Sequence, residues 1–200
     1  MTAMFQTPAP LTDRSLTAPL FKIPLARQTK RLVEPYKAFA PNFHMGFGDE
    51  AARIAVQQNR KSDVFASPPD HPFVLDLTFE DVGATRWISL EARIDTAALT
   101  PTGRLSVLGS VKATQKDPIG VTLRVFRADG SFADLGLGRL QPGLGTSYGA
   151  DTVSQRLSPL AETLDRGTES AFVLLFFPVA QGQSFSLAML NLFVTEEPLS

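Results

Sequence analysis

From about residue 73 to residue 194 apolar and polar residues alternate with a period of two. Phe73, Leu75, Leu77 and Phe79 alternate with Val74, Asp76 and Thr78, and Ile88, Leu90, Ala92 and Ile94 alternate with Trp87, Ser89, Glu91 and Arg93. Successive side chains of a strand point to opposite faces, so each segment reads as a strand with one buried face. Leu105, Val107, Gly109 and Val111 continue the series. Val121, Leu123 and Val125 alternate with Thr122 and Arg124 and run into Asp129-Gly130, a pair that supplies the positive φ angles of a tight hairpin turn.

A loop follows from Gly138 to Ala150. Ser158-Pro159 then opens, and Gly167 ends, one short helix: a capping Ser, Pro in the first helical position, and Gly past the end. Ala171 to Phe177, AFVLLFF, is apolar on both faces, as a central strand covered on both sides must be. Ser184 to Thr195 closes the series. Asp49 to Gln58, DEAARIAVQQ, fits either a short helix capped by Asp49 or a strand with Ile54 and Val56 on one face, and we read it as a strand.

Roughly eight or nine regularly spaced strands with a single helix predict an all-β fold, a two-sheet antiparallel β-sandwich of the jelly-roll kind. Leu75, Leu77, Ile88, Leu90, Val107, Leu123, Val125, Leu174 and Phe176 are expected between the sheets.

Residues 1–41 differ from the rest. Pro8, Pro10, Pro19, Pro24, Pro35 and Pro41 each block a helix or a central strand, which predicts an extended arm ahead of a sandwich domain over 42–200. Lys22, Arg27, Lys30, Arg31 and Lys37 face Glu34 alone between residues 22 and 37, and Phe5, Leu16, Leu20, Phe21, Leu32 and Tyr36 add more apolar surface than a disordered tail carries. Such an arm docks, on its own sandwich or on another subunit. Lys30, Arg31 and Tyr36 are its candidate partner contacts, and its removal is expected to leave a folded sandwich that no longer attaches.

Charge narrows the partners. With 19 basic and 20 acidic residues in 200 there is no global field for nucleic acid or an anionic membrane. No segment approaches the ~18 apolar residues that read as a membrane span, and the first twenty lack the apolar run of a signal peptide, so synthesis in the cytoplasm is expected, with release as part of a particle or appendage left open. Without Cys there is no thiolate site, and His44 and His71 show no metal spacing; no metal and no cofactor are expected. Gly46-Phe47-Gly48 and Gly136-Leu137-Gly138 lack the third glycine and Lys of a phosphate loop and read as turns.

The segment RWISLEARID, Arg86 to Asp95, paired with a closing strand FSLAMLNLFV, Phe185 to Val194, resembles carbohydrate-binding-module-like jelly rolls over about residues 50–195. That resemblance implies a sugar bound on aromatic rings, for which this chain offers Trp87, Tyr36 and Tyr148.

Trp87 shares the polar face of its strand with Ser89, Glu91 and Arg93. A large flat ring there suits a sugar or a protein partner, or else it is covered by the arm or a loop. Asp76, Glu91, Arg93 and Arg124 also occupy polar strand faces and are the candidate ligand contacts beside Trp87. They equally suit ordinary cross-strand pairs, and a carboxylate pair among them suits acid–base work on a glycosidic bond. No nucleophile elbow or supported Ser-His-acid set accompanies them, so no catalytic residue is assigned.

Together these features point to a non-catalytic β-sandwich binding protein with a glycan ligand, tied by its arm to an oligomer or larger assembly. Two other readings remain: a virion or surface-appendage component that makes protein contacts only, and a carbohydrate-active enzyme.

Overall fold

The computed structural model describes residues 18–61 and 71–196. Its strands are β1 (Arg31–Leu32), β2 (Ala38–Ala40), β3 (Phe43–Phe47), β4 (Arg53–Arg60), β5 (Phe73–Asp81), β6 (Ile88–Ile94), β7 (Gly103–Ala113), β8 (Ile119–Arg127), β9 (Phe132–Leu140), β10 (Gly143–Leu144), β11 (Gly149–Arg156), β12 (Thr168–Phe177) and β13 (Ser184–Glu196). One sheet runs β1-β4-β5-β13-β7, with β10 and β11 on the far side of β7. The other runs β2-β3-β6-β12-β8-β9. Pairing is antiparallel apart from the short β10–β7 contact. This is the two-sheet sandwich that the alternation predicts. The helix is also present, as a 3-10 turn at Ser158–Leu160 running into α1 (Ala161–Asp165).

The core lies between the sheets because each strand buries one face there. Leu75, Leu77, Ile88, Leu90, Val107, Leu123 and Val125 are all in it. Phe79 and Phe185 from the first sheet meet Phe177 from the second, with ring centroids 4.7 to 6.0 Å apart. In β13 a bulge between Leu187 and Met189 inserts one residue, so that Leu190 and Leu192, rather than Met189, resume the inward face.

Two expectations are corrected by the pairing. Leu175 stands opposite Leu90 and Val121, whereas Leu174 stands opposite Glu91 and Thr122 and Phe176 opposite Ser89 and Gly120. Directly paired residues share a face, so Val173, Leu175 and Phe177 enter the core while Phe172, Leu174 and Phe176 lie on the outside of the second sheet. A strand apolar on both faces carries no parity in its sequence. The hairpin turn also differs, since only Gly130 of the Asp-Gly pair has a positive φ, +81°, and the Arg127 amide donates to the Ser131 carbonyl across a three-residue loop.

The described part of the N-terminal segment is built into the sandwich rather than standing apart from residues 42–200; Phe5 and Leu16 lie outside the described residues. Leu20 and Phe21 are 0% exposed within the core. Gln58, on the inward face of β4, holds them there: its Nε2 donates to the carbonyls of Leu20 (2.8 Å) and Ile23 (3.0 Å), and its Oε1 accepts from the Leu25 amide (2.8 Å). An amide buried among apolar side chains needs these partners, and the segment supplies all three. Residues 31–40 then cross from the edge of one sheet to the edge of the other, β1 pairing with β4 and β2 with β3. Pro19, Pro24, Pro35 and Pro41 do not oppose this, because all four fall outside the strands, while Pro8 and Pro10 lie outside the described residues. Among the described residues no helix is long and apolar enough to cross a membrane.

Surface carboxylates tie down the loops. Asp49 accepts from the amides of Ala51 and Ala84, Glu80 pairs with Lys30 at 2.7 Å and Arg53 at 3.5 Å, and Asp129 accepts from the amide and hydroxyl of Ser131. Backbone donors lower Asp49, the Lys30 hydrogen bond lowers Glu80 and the Ser131 hydroxyl lowers Asp129, below ordinary values of 3.8 for Asp and 4.5 for Glu. A carboxyl more acidic when folded than when unfolded adds stability above its unfolded pKa, and that stability is lost as the pH falls through the folded value. The urea midpoint is therefore expected to stay level from pH 8 to about pH 5 and to fall below about pH 4.5; a midpoint that rises on acidification would contradict these assignments.

Candidate functional site

The outer face of the second sheet collects most of the chemistry. Its cross-strand rows follow from the register. His44, Glu91, Leu174, Thr122 and Gly136 form one row, Gly46, Ser89, Phe176, Gly120 and Arg139 the next on one side, and Arg93, Phe172, Arg124 and Asp134 the next on the other, followed by Ser170, Phe126 and Phe132. Neighbours in these rows stand about 5 Å apart, close enough for rings and charges to meet.

A ribbon of rings crosses this face from one edge to the other. Trp87 lies 6.2 Å from Tyr36, Tyr36 6.2 Å from His44, His44 5.5 Å edge-on to Phe172, Phe172 5.9 Å edge-on to Phe126, and Phe126 5.7 Å from Phe132. Its two most exposed members, near its two ends, are Tyr36 at 59% and Phe132 at 52% exposed. Trp87 leans over β3 where glycines leave room. A Cβ at Gly46 would stand 2.3 Å from Glu91 Oε1, 2.7 Å from Ser89 Oγ and 2.9 Å from the indole, and one at Gly48 would stand 3.6 Å from the indole nitrogen. Gly46-Phe47-Gly48 is thus a strand end that seats a ring, not a turn. Tyr36 reaches the ribbon from the segment before β2 in a left-handed conformation, φ +58°, that costs an aromatic residue energy. Its amide donates to the Met45 carbonyl at 2.7 Å, which holds the turn.

Polar groups along the ribbon are held in fixed positions. Glu91, only 8% exposed, accepts from Ser89 Oγ at 2.8 Å and faces His44 Nε2 at 2.9 Å. Arg124 donates from Nε and Nη2 to the two oxygens of Asp134 at 2.8 and 2.7 Å, and its guanidinium lies 4.3 Å over the Phe132 ring. The Asp134 hydrogen bonds raise the Arg124 pKa. Partial burial of the phenol, then the nearby Glu91 carboxylate, raise the Tyr36 pKa above its ordinary 10.0.

Of the candidate ligand contacts, Trp87, Glu91, Arg93 and Arg124 share this face and Tyr36 joins them from the arm. Asp76 does not. It lies on the outside of the first sheet, where Asn59 Nδ2 donates to it at 2.5 Å and Ser186 Oγ also donates. Alternation places a side chain in or out of a strand but is silent on which sheet the strand joins. Tyr148 likewise lies away from the ribbon, beneath the ammonium of Lys112 from β7. Lys30 is paired with Glu80, and Arg31 donates to the carbonyls of Arg27 and Phe39, so both basic contacts are engaged within the chain.

The sequence pattern singled out none of Phe126, Phe132, Phe172 and Asp134, and marked His44 only as a histidine without metal spacing. Extending the Arg127–Ser131 hairpin register would have paired Arg124 with Asp134. FHMGF alternates as clearly as the other strands and places His44 outward. Among the described residues no three His, Asp or Glu side chains form a metal-ligand set.

No protein-family model matches the chain, and no curated protein matches it in sequence. Solved structures do match it in fold. A Bacteroides thetaiotaomicron VPI-5482 protein described as sugar-binding superimposes with a TM-score of 0.54 at 10% identity, over 90% of this chain and 98% of its own. A family 4 carbohydrate-binding module, CBM4, superimposes with a TM-score of 0.51 at 13% identity, over 90% of this chain and all of its own, 100%. The fold is a carbohydrate-binding-module-like jelly roll. The same jelly roll occurs in the enzymatically active domain of tailspike protein 4 of bacteriophage CBA120, with a TM-score of 0.53 at 11% identity over 88% of this chain; the chain spans 22% of that protein's length. At these identities the likeness concerns the jelly roll alone.

Proposed function

We propose that the chain is a non-catalytic glycan-binding module whose ligand lies across the outer face of the second sheet. The observation that carries this reading is the six-ring ribbon with hydrogen-bonding groups fixed beside it. A pyranose has apolar C–H faces and a rim of hydroxyls. Flat rings bury the former, while Glu91, His44, Arg124 and Asp134, already oriented by one another, meet the latter with little further ordering cost. The jelly-roll neighbours, one a carbohydrate-binding module and one described as sugar-binding, support the same class of ligand.

Binding is favoured over catalysis by the state of the carboxylates. Glu91 is held by Ser89 and His44, and Asp134 by both arms of Arg124, so each is fixed by its own neighbours rather than left as one of a facing acid–base pair. The described part of the N-terminal segment is occupied on its own sandwich, so attachment to an assembly is not assigned to residues 18–41.

The test is a panel of soluble polysaccharides with Trp87→Ala, Tyr36→Ala and Phe132→Ala. Each variant is expected to weaken binding by about tenfold or more. The two exposed rings should leave the melting temperature nearly unchanged, whereas Trp87→Ala also lowers it because the indole packs on Gly46. Wild-type protein that retains no polysaccharide, or variants that bind as well as wild type, would overturn the proposal and favour a surface for protein contacts.

A further inference from the structure

Where residues 26–39 pass from one sheet edge to the other they line an open cleft of about 390 Å³, bordered by Arg27, Arg31, Glu34, Lys37 and Phe39. Three cations face one carboxylate. Glu34 is taken by Lys37 at 3.0 Å. Arg31 is fixed differently: its Nη1 donates to the Arg27 carbonyl at 2.8 Å and its Nη2 to the Phe39 carbonyl at 2.7 Å, so the guanidinium spans the gap between β1 and β2. Among the described residues no carboxylate lies within ion-pair distance of it, and the exposed Arg27 side chain is also unpaired. A guanidinium held by neutral carbonyls keeps its full charge and loses little freedom when an anion arrives. At ~30 Å³ per water the cleft holds about a dozen waters, ample for a tetrahedral or planar oxyanion.

We propose that this cleft is an oxyanion site, taking a carboxylate or sulfate group through Arg27, Arg31 and Lys37. Tyr36, a ring of the ribbon, belongs to the same turn as Glu34 and Lys37, which makes an acidic saccharide the source: neutral rings on the ribbon, the charged substituent in the cleft. That choice of source rests on the glycan reading; the anion site itself does not.

Titration of the full chain with sodium sulfate at constant ionic strength, followed by the amide resonances of residues 26–39, tests it. Saturable shifts confined to that segment are expected, with affinity reduced about tenfold or more in Arg27→Gln and in Lys37→Gln, since a hydrogen bond to a charged group is worth at least that factor. Arg31 is left intact because it closes the crossing. Shifts no larger than those with chloride, or shifts unaltered by both variants, would overturn the site. Glucuronate is expected to move the same amides and glucose not to. Sulfate binding with glucuronate silent would overturn the saccharide source and leave an inorganic-anion site. Sulfate binding that persists in Trp87→Ala while polysaccharide binding is lost would support two separable sites, and sulfate binding in a protein that retains no polysaccharide would sink the glycan reading alone.

Discussion

A chain beginning at residue 42 is expected not to fold. Its deletion removes Leu20 and Phe21 from the core, the edge strands β1 and β2, and all three hydrogen-bond partners of the Gln58 side chain. Emptying the site of a buried Phe costs about 3 to 5 kcal/mol and that of a buried Leu about 2 to 5. Leaving the Gln58 amide unsatisfied adds about 1 to 3 kcal/mol. The sum is comparable to the whole stability of a domain, about 5 to 15 kcal/mol. Far-ultraviolet circular dichroism and a thermal melt would show it directly, as loss of the cooperative transition. Phe21→Ala in the full chain is the graded version and should lower stability by about 3 to 5 kcal/mol. A truncated chain melting within a few degrees of the full one would mean that the segment is not part of the core.

Gly46→Val is expected to dislodge Trp87 and remove ligand binding. The new Cβ would stand 2.3 Å from Glu91 Oε1, 2.7 Å from Ser89 Oγ and 2.9 Å from the indole, so all three must move. Gly46 is not in the left-handed region, so the penalty comes from space alone. Overpacking of this kind typically costs about 1 to 3 kcal/mol, a loss that a folded sandwich survives. Its effect on binding should be larger, because it disturbs the indole and the Glu91 acceptor together. The chain has 1 Trp, so the emission spectrum reports Trp87 without interference, and a red shift is expected as the ring leaves its glycine seat. Gly48→Ala is the control: at 3.6 Å from the indole nitrogen its Cβ makes an ordinary contact and should leave emission and binding nearly unchanged. Unshifted emission in Gly46→Val would mean that the indole does not rest on that glycine.

The sandwich was legible because period-two alternation is a local property: Leu75, Leu77, Leu90, Val107, Leu123 and Val125 announce their inward positions from their own neighbours. The polar face of Trp87, Glu91 and Arg93 was legible in the same way. Where local pattern was uninformative the sequence was silent. AFVLLFF is apolar at every position, so only its pairing with Glu91 and Arg124 shows that Phe172 joins the ribbon and Val173 the core. Asp76 alternates as regularly as Glu91, yet its strand pairs into the other sheet. The prolines marked residues 1–41 as an arm, but the buried Leu20 and Phe21 and the Gln58 contacts across more than thirty residues make its described part core. Strand direction and facing come from neighbours along the chain, whereas sheet membership and register come from hydrogen bonds and side-chain packing between segments far apart, and on those the ribbon and the cleft depend.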